Sequence, residues 1–288
     1  MHSPWKNITD TQAFVQYKRH RLLAEACKKY PELSEGKLSV DTQRHILVNE
    51  KQKLLYCFVP KVGCSNWKRV MMKLAGTTSK KLSRITSQDA HAKNGLRNLL
   101  NYEQNERRTI LATYTAFMYA RDPFARIVSA YQNKFGDVSV YRKETLIHKT
   151  AKMMIKKYRR DPSPKELETG ENVTWTEFVN FLTDPVKNYF NEHWREMYKL
   201  CSPCHVNYDF LGHLETLDDD VQYMFQELHL EDKIKYPSSK TSHPTNSTNT
   251  YLEFYSQLTT EQIQRLWKIY EKDFDLFGYK KPNFVSST

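Results

Sequence analysis

The chain has 288 residues, of which 39% are hydrophobic and 13% aromatic, enough to bury a sizeable core and unlike a low-complexity disordered segment. Its 44 Lys and Arg against 33 Asp and Glu leave a formal net charge of +11, which favours an anionic partner: nucleic acid, an anionic membrane, a polyanionic glycan or a phosphorylated cofactor. No apolar run reaches the about 18 residues of a membrane-spanning helix, and Met1 to Asp10 has no apolar core of a signal peptide, so membrane attachment would need an anchor outside these residues.

In chain order, residues 1–40 are polar and basic, with a predicted helix from Thr11 to Tyr30 that Pro31 ends; this segment is expected to pack on a main domain spanning 41–288. His45–Val48 and Leu54–Val59 read as short strands, the second almost wholly apolar, as in a strand buried on both faces of a parallel sheet. Pro60–Asn66 is a tight loop. The helix after it, about Ser65 to Leu74, buries Trp67, Val70, Met71 and Leu74 at i, i+3, i+4, i+7 spacing. Leu82–Asn101 is polar and irregular, and a helix spans Glu103–Ala112. Thr115–Ala120 is a second apolar strand, followed by a helix over Pro123–Lys134 with proline in its first turn.

Residues 142–165 carry nine Lys or Arg against Glu144 and Asp161, and read as a basic helix ending in a turn at Asp161-Pro-Ser-Pro164. A loop is expected over 166–173, helices over Trp175–Leu182 and Asn191–Leu200, a strand over Val206–Leu214 and a helix over Asp218–Leu228. The Ser/Thr/Asn/Pro-rich stretch Lys235–Thr250 is expected to be a loop, and Thr259–Phe274 a final amphipathic helix. No internal repeat is visible. Strand–loop–helix units at 54–74 and 115–134 predict an α/β fold with a central parallel sheet and helices on both faces.

Two stretches carry chemistry. In Val59-Pro-Lys-Val-Gly-Cys-Ser-Asn-Trp67 a strand turns into a helix whose first N–H groups face outward; Lys61 adds a full positive charge and Gly63 lets the backbone approach a bound anion. The spacing is not that of a Walker A loop, which disfavours an ordinary ATPase or kinase. In Arg121-Asp-Pro-Phe-Ala-Arg-Ile-Val-Ser129 Arg121 sits at the carboxyl end of a strand, where open α/β sheets bind ligands, and Ser129 adds a hydroxyl; Asp122 is equally suited to cap the helix and pair with Arg126.

Pro60-Lys-Val-Gly-Cys-Ser-Asn-Trp-Lys-Arg69 resembles the 5′-phosphosulfate loop of Golgi carbohydrate sulfotransferases, and Arg121 to Phe135 resembles their 3′-phosphate motif. The branch resembled is the HNK-1 sulfotransferase family, most of all its chondroitin and dermatan 4-O-sulfotransferases. Tyr208-Asp-Phe-Leu-Gly-His-Leu-Glu-Thr216 and Leu266–Tyr279 are similar to later blocks of the same branch, so the resemblance runs from about Cys27 to Tyr279. Gly63-Cys-Ser stands where many relatives read Ala-Cys-Thr, which keeps the residues small.

The resemblance implies 3′-phosphoadenylyl sulfate (PAPS) as sulfo donor, without a metal. It implies that Pro60, Lys61, Val62, Gly63, Cys64, Ser65 and Asn66 hold the 5′-phosphosulfate. It implies that Arg121, Asp122, Pro123, Phe124, Ala125, Arg126, Ile127, Val128 and Ser129 hold the 3′-phosphate. The acceptor is expected to be a glycan, with O4 of GalNAc in chondroitin or dermatan ahead of terminal GalNAc or glucuronate on N- or O-linked glycans. A non-catalytic heparin- or RNA-binding protein is the alternative of another class, although no nucleic-acid motif is present.

A Golgi type II membrane protein with a lumenal catalytic domain is the expected setting. The sequons at Asn7, Asn172 and Asn246 are candidate glycosylation sites. Lys61 is the candidate for stabilising charge on the leaving phosphate, and His91 for general base, with Asp89 and Glu103 as rivals; His193, His205 and His213 are expected to be structural. The basic strip 142–165 is assigned to the anionic glycan. Five cysteines are too few for a disulfide scaffold, and Cys201-Ser-Pro-Cys204 reads as a local disulfide rather than a metal site.

Overall fold

The computed structural model describes residues 5–136, 145–185, 191–237 and 248–285. By contact density it comprises two compact units, one formed by Met1–Arg121, Arg195–Ser242 and Asp275–Tyr279, the other by Asp122–Trp194, His243–Phe274 and Lys280–Thr288.

The first unit is built on an open five-stranded sheet in the order β3-β1-β2-β4-β5. The strands are β1 (Ile46–Asn49), β2 (Leu54–Cys57), β3 (Arg97–Asn98), β4 (Thr115–Ala120) and β5 (Phe210–His213). One side of the sheet, β2-β4-β5, is parallel as the two apolar runs predict; β1 pairs antiparallel with both β2 and β3 and makes the sheet mixed. The hairpin follows from its four-residue polar interval, 50–53, too short for the crossover that a parallel pair needs.

Helices cover both faces. On one, α3 (Cys64–Ala75) buries Trp67 against Phe117 and Tyr119, each ring centroid 4.8 Å away, and against Tyr56 at 5.8 Å. Gly212 faces Tyr119 across the β4–β5 pair; a Cβ there would lie 2.1 Å from the tyrosine ring, so a side chain at 212 would expel it. On the other face Cys57 of β2 is bonded to Cys201, at the end of a short helix Met197–Cys201.

The helix α1 (Trp5–Lys29) closes the sheet's edge. Gln16 accepts from the Leu211 N–H at 3.0 Å and donates to the Leu211 carbonyl at 3.1 Å, so its amide stands in for a neighbouring strand. Unpaired edge groups otherwise invite pairing with another chain. Cys27, near the end of α1, is bonded to Cys204.

The cysteine pairing differs from the local bridge expected at Cys201-Ser-Pro-Cys204. Ser202 takes a left-handed conformation at the end of the Met197–Cys201 helix, and the two cysteines bond to different parts of the chain. The bridges close sequence separations of 144 and 177 residues. Loops of that length cost the unfolded chain about 5 kcal/mol each in the chain-entropy model, and nesting keeps the two from adding. Cys64 is buried and lies outside both bridges.

The second unit is helical and aromatic. Its helices are α6 (Pro123–Phe135), α7 (Thr145–Tyr158), α8 (Pro164–Thr169) and α9 (Trp175–Leu182), with Thr248–Tyr255 and most of Thr260–Leu276. Phe124 stacks on Tyr255 at 4.8 Å and meets Phe274 edge-on at 5.1 Å. Tyr131 packs against Trp175 and Phe178 at 5.3 and 5.6 Å.

Several elements depart from the predicted boundaries. A helix α2 (Val40–His45), capped by Ser39, takes His45 out of the expected first strand. Ser163, Pro164 and Glu166 form a capping box that starts α8 where a loop was expected. The expected helix Asn191–Leu200 is confined to Met197–Cys201, because Asn191 instead turns the chain by accepting from the His193 N–H. The strand expected over Val206–Leu214 is only Phe210–His213. In the polar segment 82–101, Ser87–Ala92 forms a helix, α4, capped by Thr86.

Among the sequons, Asn172 lies exposed in a turn with φ +61°, Asn246 falls outside the described residues, and the side chain of Asn7 does too. No described helix is long and apolar enough to cross a membrane.

Candidate active site

Because β2, β4 and β5 are parallel, the loops that follow them leave the same edge of the sheet. The first, Phe58–Gly63, runs into α3 through two residues at positive φ, Lys61 at +69° and Gly63 at +71°. A lysine in the left-handed region costs roughly 1–2 kcal/mol, a strain typical of functional loops. Gly63 is the N-cap of α3, and no side chain closes that end. Its carbonyl accepts from the Asn66 and Trp67 N–H groups at 3.0 and 3.2 Å, which winds the first turn tightly. A Cβ on Gly63 would lie 3.1 Å from the Tyr236 hydroxyl, which itself donates to the Gly63 carbonyl at 3.4 Å.

Arg121 follows β4 and is only 3% exposed. Its guanidinium donates to the Lys61 carbonyl at 3.2 Å, tying the end of β4 to the loop after β2. Lys61 and Arg121, predicted to act on one cofactor, are therefore joined within the first unit. An uncapped helix start and a buried guanidinium beside it are groups of the kind that hold anions.

Asp122–Ser129 belong to the second unit. The Asp122 carboxylate accepts from the Ala125 N–H at 2.8 Å, and Arg126, fully buried, donates to the Glu192 carbonyl at 2.9 Å. Asp122 thus caps α6, and Ser129 is buried on that helix with 6% exposure.

His91, at the end of α4, stands beside the first loop: its Nε2 is 2.7 Å from the Ser65 Oγ. Its Nδ1 is 3.4 Å from the Lys68 ammonium, which also lies over the Phe58 ring at 3.7 Å. An ammonium only donates, so Nδ1 is the acceptor and the ring proton sits on Nε2, directed at Ser65. The two rivals are engaged elsewhere. Asp89 pairs with Lys80 at 2.8 Å and caps α4 with Thr86; these bonds hold its carboxyl down to about 2. Glu103 caps α5 (Gln104–Thr113).

His213, at the end of β5, is half-buried beside Tyr279; desolvation first, and the Arg19 charge second, lower its imidazole to about 3, so it is neutral near pH 7.

Lys68 and Tyr236 were not singled out from the sequence. Lys68 could have been, since it lies three residues after Ser65 and so on the same side of α3. Tyr236 reaches the loop from 173 residues away in an aperiodic stretch, and carries no local signal.

A model of the sulfotransferase family matches residues 44–280, and the chain belongs to that family: it is a sulfotransferase. Among its relatives, Carbohydrate sulfotransferase 11 of Mus musculus is 33% identical over 293 residues, covering 99% of this chain and 82% of that protein. Carbohydrate sulfotransferase 8 of Mus musculus is 35% identical over 291 residues, covering 98% of this chain and 67% of the relative. Carbohydrate sulfotransferase 9 of Homo sapiens is 35% identical over 283 residues, 96% of this chain and 62% of the relative. No solved structure matches the chain.

Proposed function

We propose that the protein transfers a sulfo group from PAPS to a sugar hydroxyl, with O4 of GalNAc in chondroitin or dermatan as the acceptor position. The observation that carries the reading is the uncapped start of α3 with Lys61 beside it and Arg121 fastened to the Lys61 carbonyl. Within Pro60 to Asn66, the 5′-phosphosulfate is held by the backbone N–H groups other than that of Asn66, which the Gly63 carbonyl holds, with Pro60 having none, and by the Lys61 ammonium; Arg121 grips the 3′-phosphate. For Asp122 to Ser129 the support is the resemblance of the motif. When bound, PAPS supplies the sulfo group to be transferred.

Lys61 meets the charge that develops on the departing phosphate as the acceptor oxygen bonds to sulfur, a contribution worth ~3–4 kcal/mol for one well-placed donor. His91 is the residue beside the loop that can take the acceptor's proton. To do so it must shed the Lys68 contact and move its own proton off Nε2. The Lys68 contact supports a second role for the same residue, a donor from Nε2 toward the sulfo oxygens.

Two disulfides fit an oxidising compartment, and with the carbohydrate sulfotransferase relatives they support a Golgi lumenal setting. The test is transfer of labelled sulfo groups from PAPS to desulfated chondroitin, dermatan, a glycan ending in GalNAc, and heparosan, with disaccharide analysis of the products. Label at O4 of GalNAc in the polymers is the expected result. Label confined to the short glycan overturns the acceptor, and no label together with no thermal stabilisation by PAP (3′-phosphoadenosine 5′-phosphate, the desulfated product) overturns the cofactor site.

A further inference from the structure

In the second unit α7 is amphipathic in an uncommon way: one face is core and the other is almost only cation. Ile147, Ala151, Met154 and Ile155 are at most 1% exposed, while Lys149 and Lys156 are exposed and Lys152 half-buried between them. Arg160 continues the row just past the helix end. Positions 149, 152 and 156 are three and four residues apart on the helix, so they form one stripe about 10 Å long, and Arg160 follows two residues past the helix's end.

Several of the acids nearby are already engaged. Arg159 holds Glu166 at 2.6 Å and Glu177 at 2.8 Å. Lys157 and Tyr158 share Asp184, and Lys165 lies 3.4 Å from Glu171. Among the described residues Lys149, Lys152, Lys156 and Arg160 have no ion pair, so four like charges stand in a row. Along a helix such neighbours repel by a few tenths of a kcal/mol per pair, a cost that a bound polyanion reverses.

We infer that this stripe is an exosite for the polymeric acceptor: it holds an extended anionic polysaccharide at sugars other than the one that reacts. The inference rests on the glycan acceptor proposed above. The stripe is one residue wide and linear, which suits a thread with charges repeated along it. A membrane surface fits poorly, because the apolar face that would insert is the unit's own core and Leu146 is the one large apolar side chain exposed on the helix. A single-stranded nucleic acid would need stacking platforms, and the row contains no aromatic residue.

The test compares the wild-type chain with the variant Lys149→Ala, Lys152→Ala, Lys156→Ala, Arg160→Ala, and with a second variant in which the three lysines become arginine. Initial rates are measured on long desulfated chondroitin and on a tetrasaccharide cut from it, at two salt concentrations. The alanine variant is expected to raise KM for the polymer at least tenfold, flatten its salt dependence, and leave the tetrasaccharide within twofold; the arginine variant stays near wild type. Equal changes on both acceptors, or an unchanged polymer KM, overturn the exosite. If the wild type sulfates neither acceptor while PAP still raises its melting temperature, the acceptor reading has failed. The stripe is then judged by titration with chondroitin sulfate, where undiminished binding by the alanine variant overturns it.

Discussion

The junctions β2–α3 and β4–α6 have the same plan, an apolar parallel strand running into a helix, yet they finish the helix start in opposite ways. At the first, Gly63 leaves the N-terminal groups of α3 without a side-chain cap, and Lys61 bears a left-handed backbone beside them. At the second, Asp122 fills the start of α6 with its own carboxylate. The end of β5 is filled more completely. There Asp220 accepts from the His213 N–H at 2.9 Å, the Thr216 hydroxyl at 2.7 Å and Arg19 at 2.6 Å. Two of the three junctions thus carry an aspartate. On the function proposed above, the first would take the phosphosulfate on its backbone N–H groups, and the second would contribute the Arg121 side chain instead.

The largest expected effect tests that contrast. Lys61→Ala and Arg121→Ala should each lower sulfo transfer by about 10²–10³-fold, in line with ~3–4 kcal/mol for a donor aimed at developing charge. Circular dichroism should remain that of the wild type. Near-normal turnover in both would remove the first junction from catalysis. His91 comes next. His91→Ala should lower turnover by about 10²-fold with PAP affinity kept. His91→Gln separates its two roles, since glutamine can place an N–H near the former Nε2 but cannot take a proton. Activity as low as in the alanine variant means a base; recovery means a donor.

What could be read in the sequence follows from how local each signal is. β2 and β4 were legible because burial on both faces leaves unbroken apolar runs, and the loops after them because Lys61, Gly63 and Arg121 act within a few residues of their strands. Elements of six residues or fewer, such as α2 and α4, hold too little hydrophobic periodicity to show, although Ser39 and Thr86 stand at their caps. The placing of His91 beside Ser65 depends on α4 packing on α3, and the reach of Tyr236 to Gly63 on the tertiary fold. Cysteine pairing was misread for the same reason: nearness in sequence at Cys201 and Cys204 says nothing of what Cys57 and Cys27 bring to them in space.

The filled junction after β5 predicts an acid sensitivity that the open one does not. His213 is folded neutral, with its imidazole lowered to about 3 by burial, whereas an unfolded chain protonates it near 6.5. Below about pH 6.5 the unfolded state binds the extra proton, so stability is present above that pH and is lost as pH falls toward 3. Between pH 7 and 5 this one group should cost about 2 kcal/mol. Urea unfolding of wild type and His213→Asn at both pH values checks it: the variant should lose less stability on acidification, and parallel losses would show that His213 is not the group responsible.

The finest test makes the first junction like the second. Gly63→Asn and Gly63→Asp carry side chains of the same shape into the same left-handed site, and both must displace the Tyr236 hydroxyl, so their strain is shared. They differ in charge, and in the NH2 donor that only asparagine carries. If the start of α3 is kept uncapped to receive a phosphosulfate, the aspartate should repel it while the asparagine only crowds it. Gly63→Asp is then expected to bind PAP about tenfold more weakly than Gly63→Asn, a difference of ~1.4 kcal/mol that shrinks as salt screens the exposed charge. Equal affinities for PAP would mean that the anion does not sit at this helix start, and that Lys61 and Arg121 grip it without the backbone.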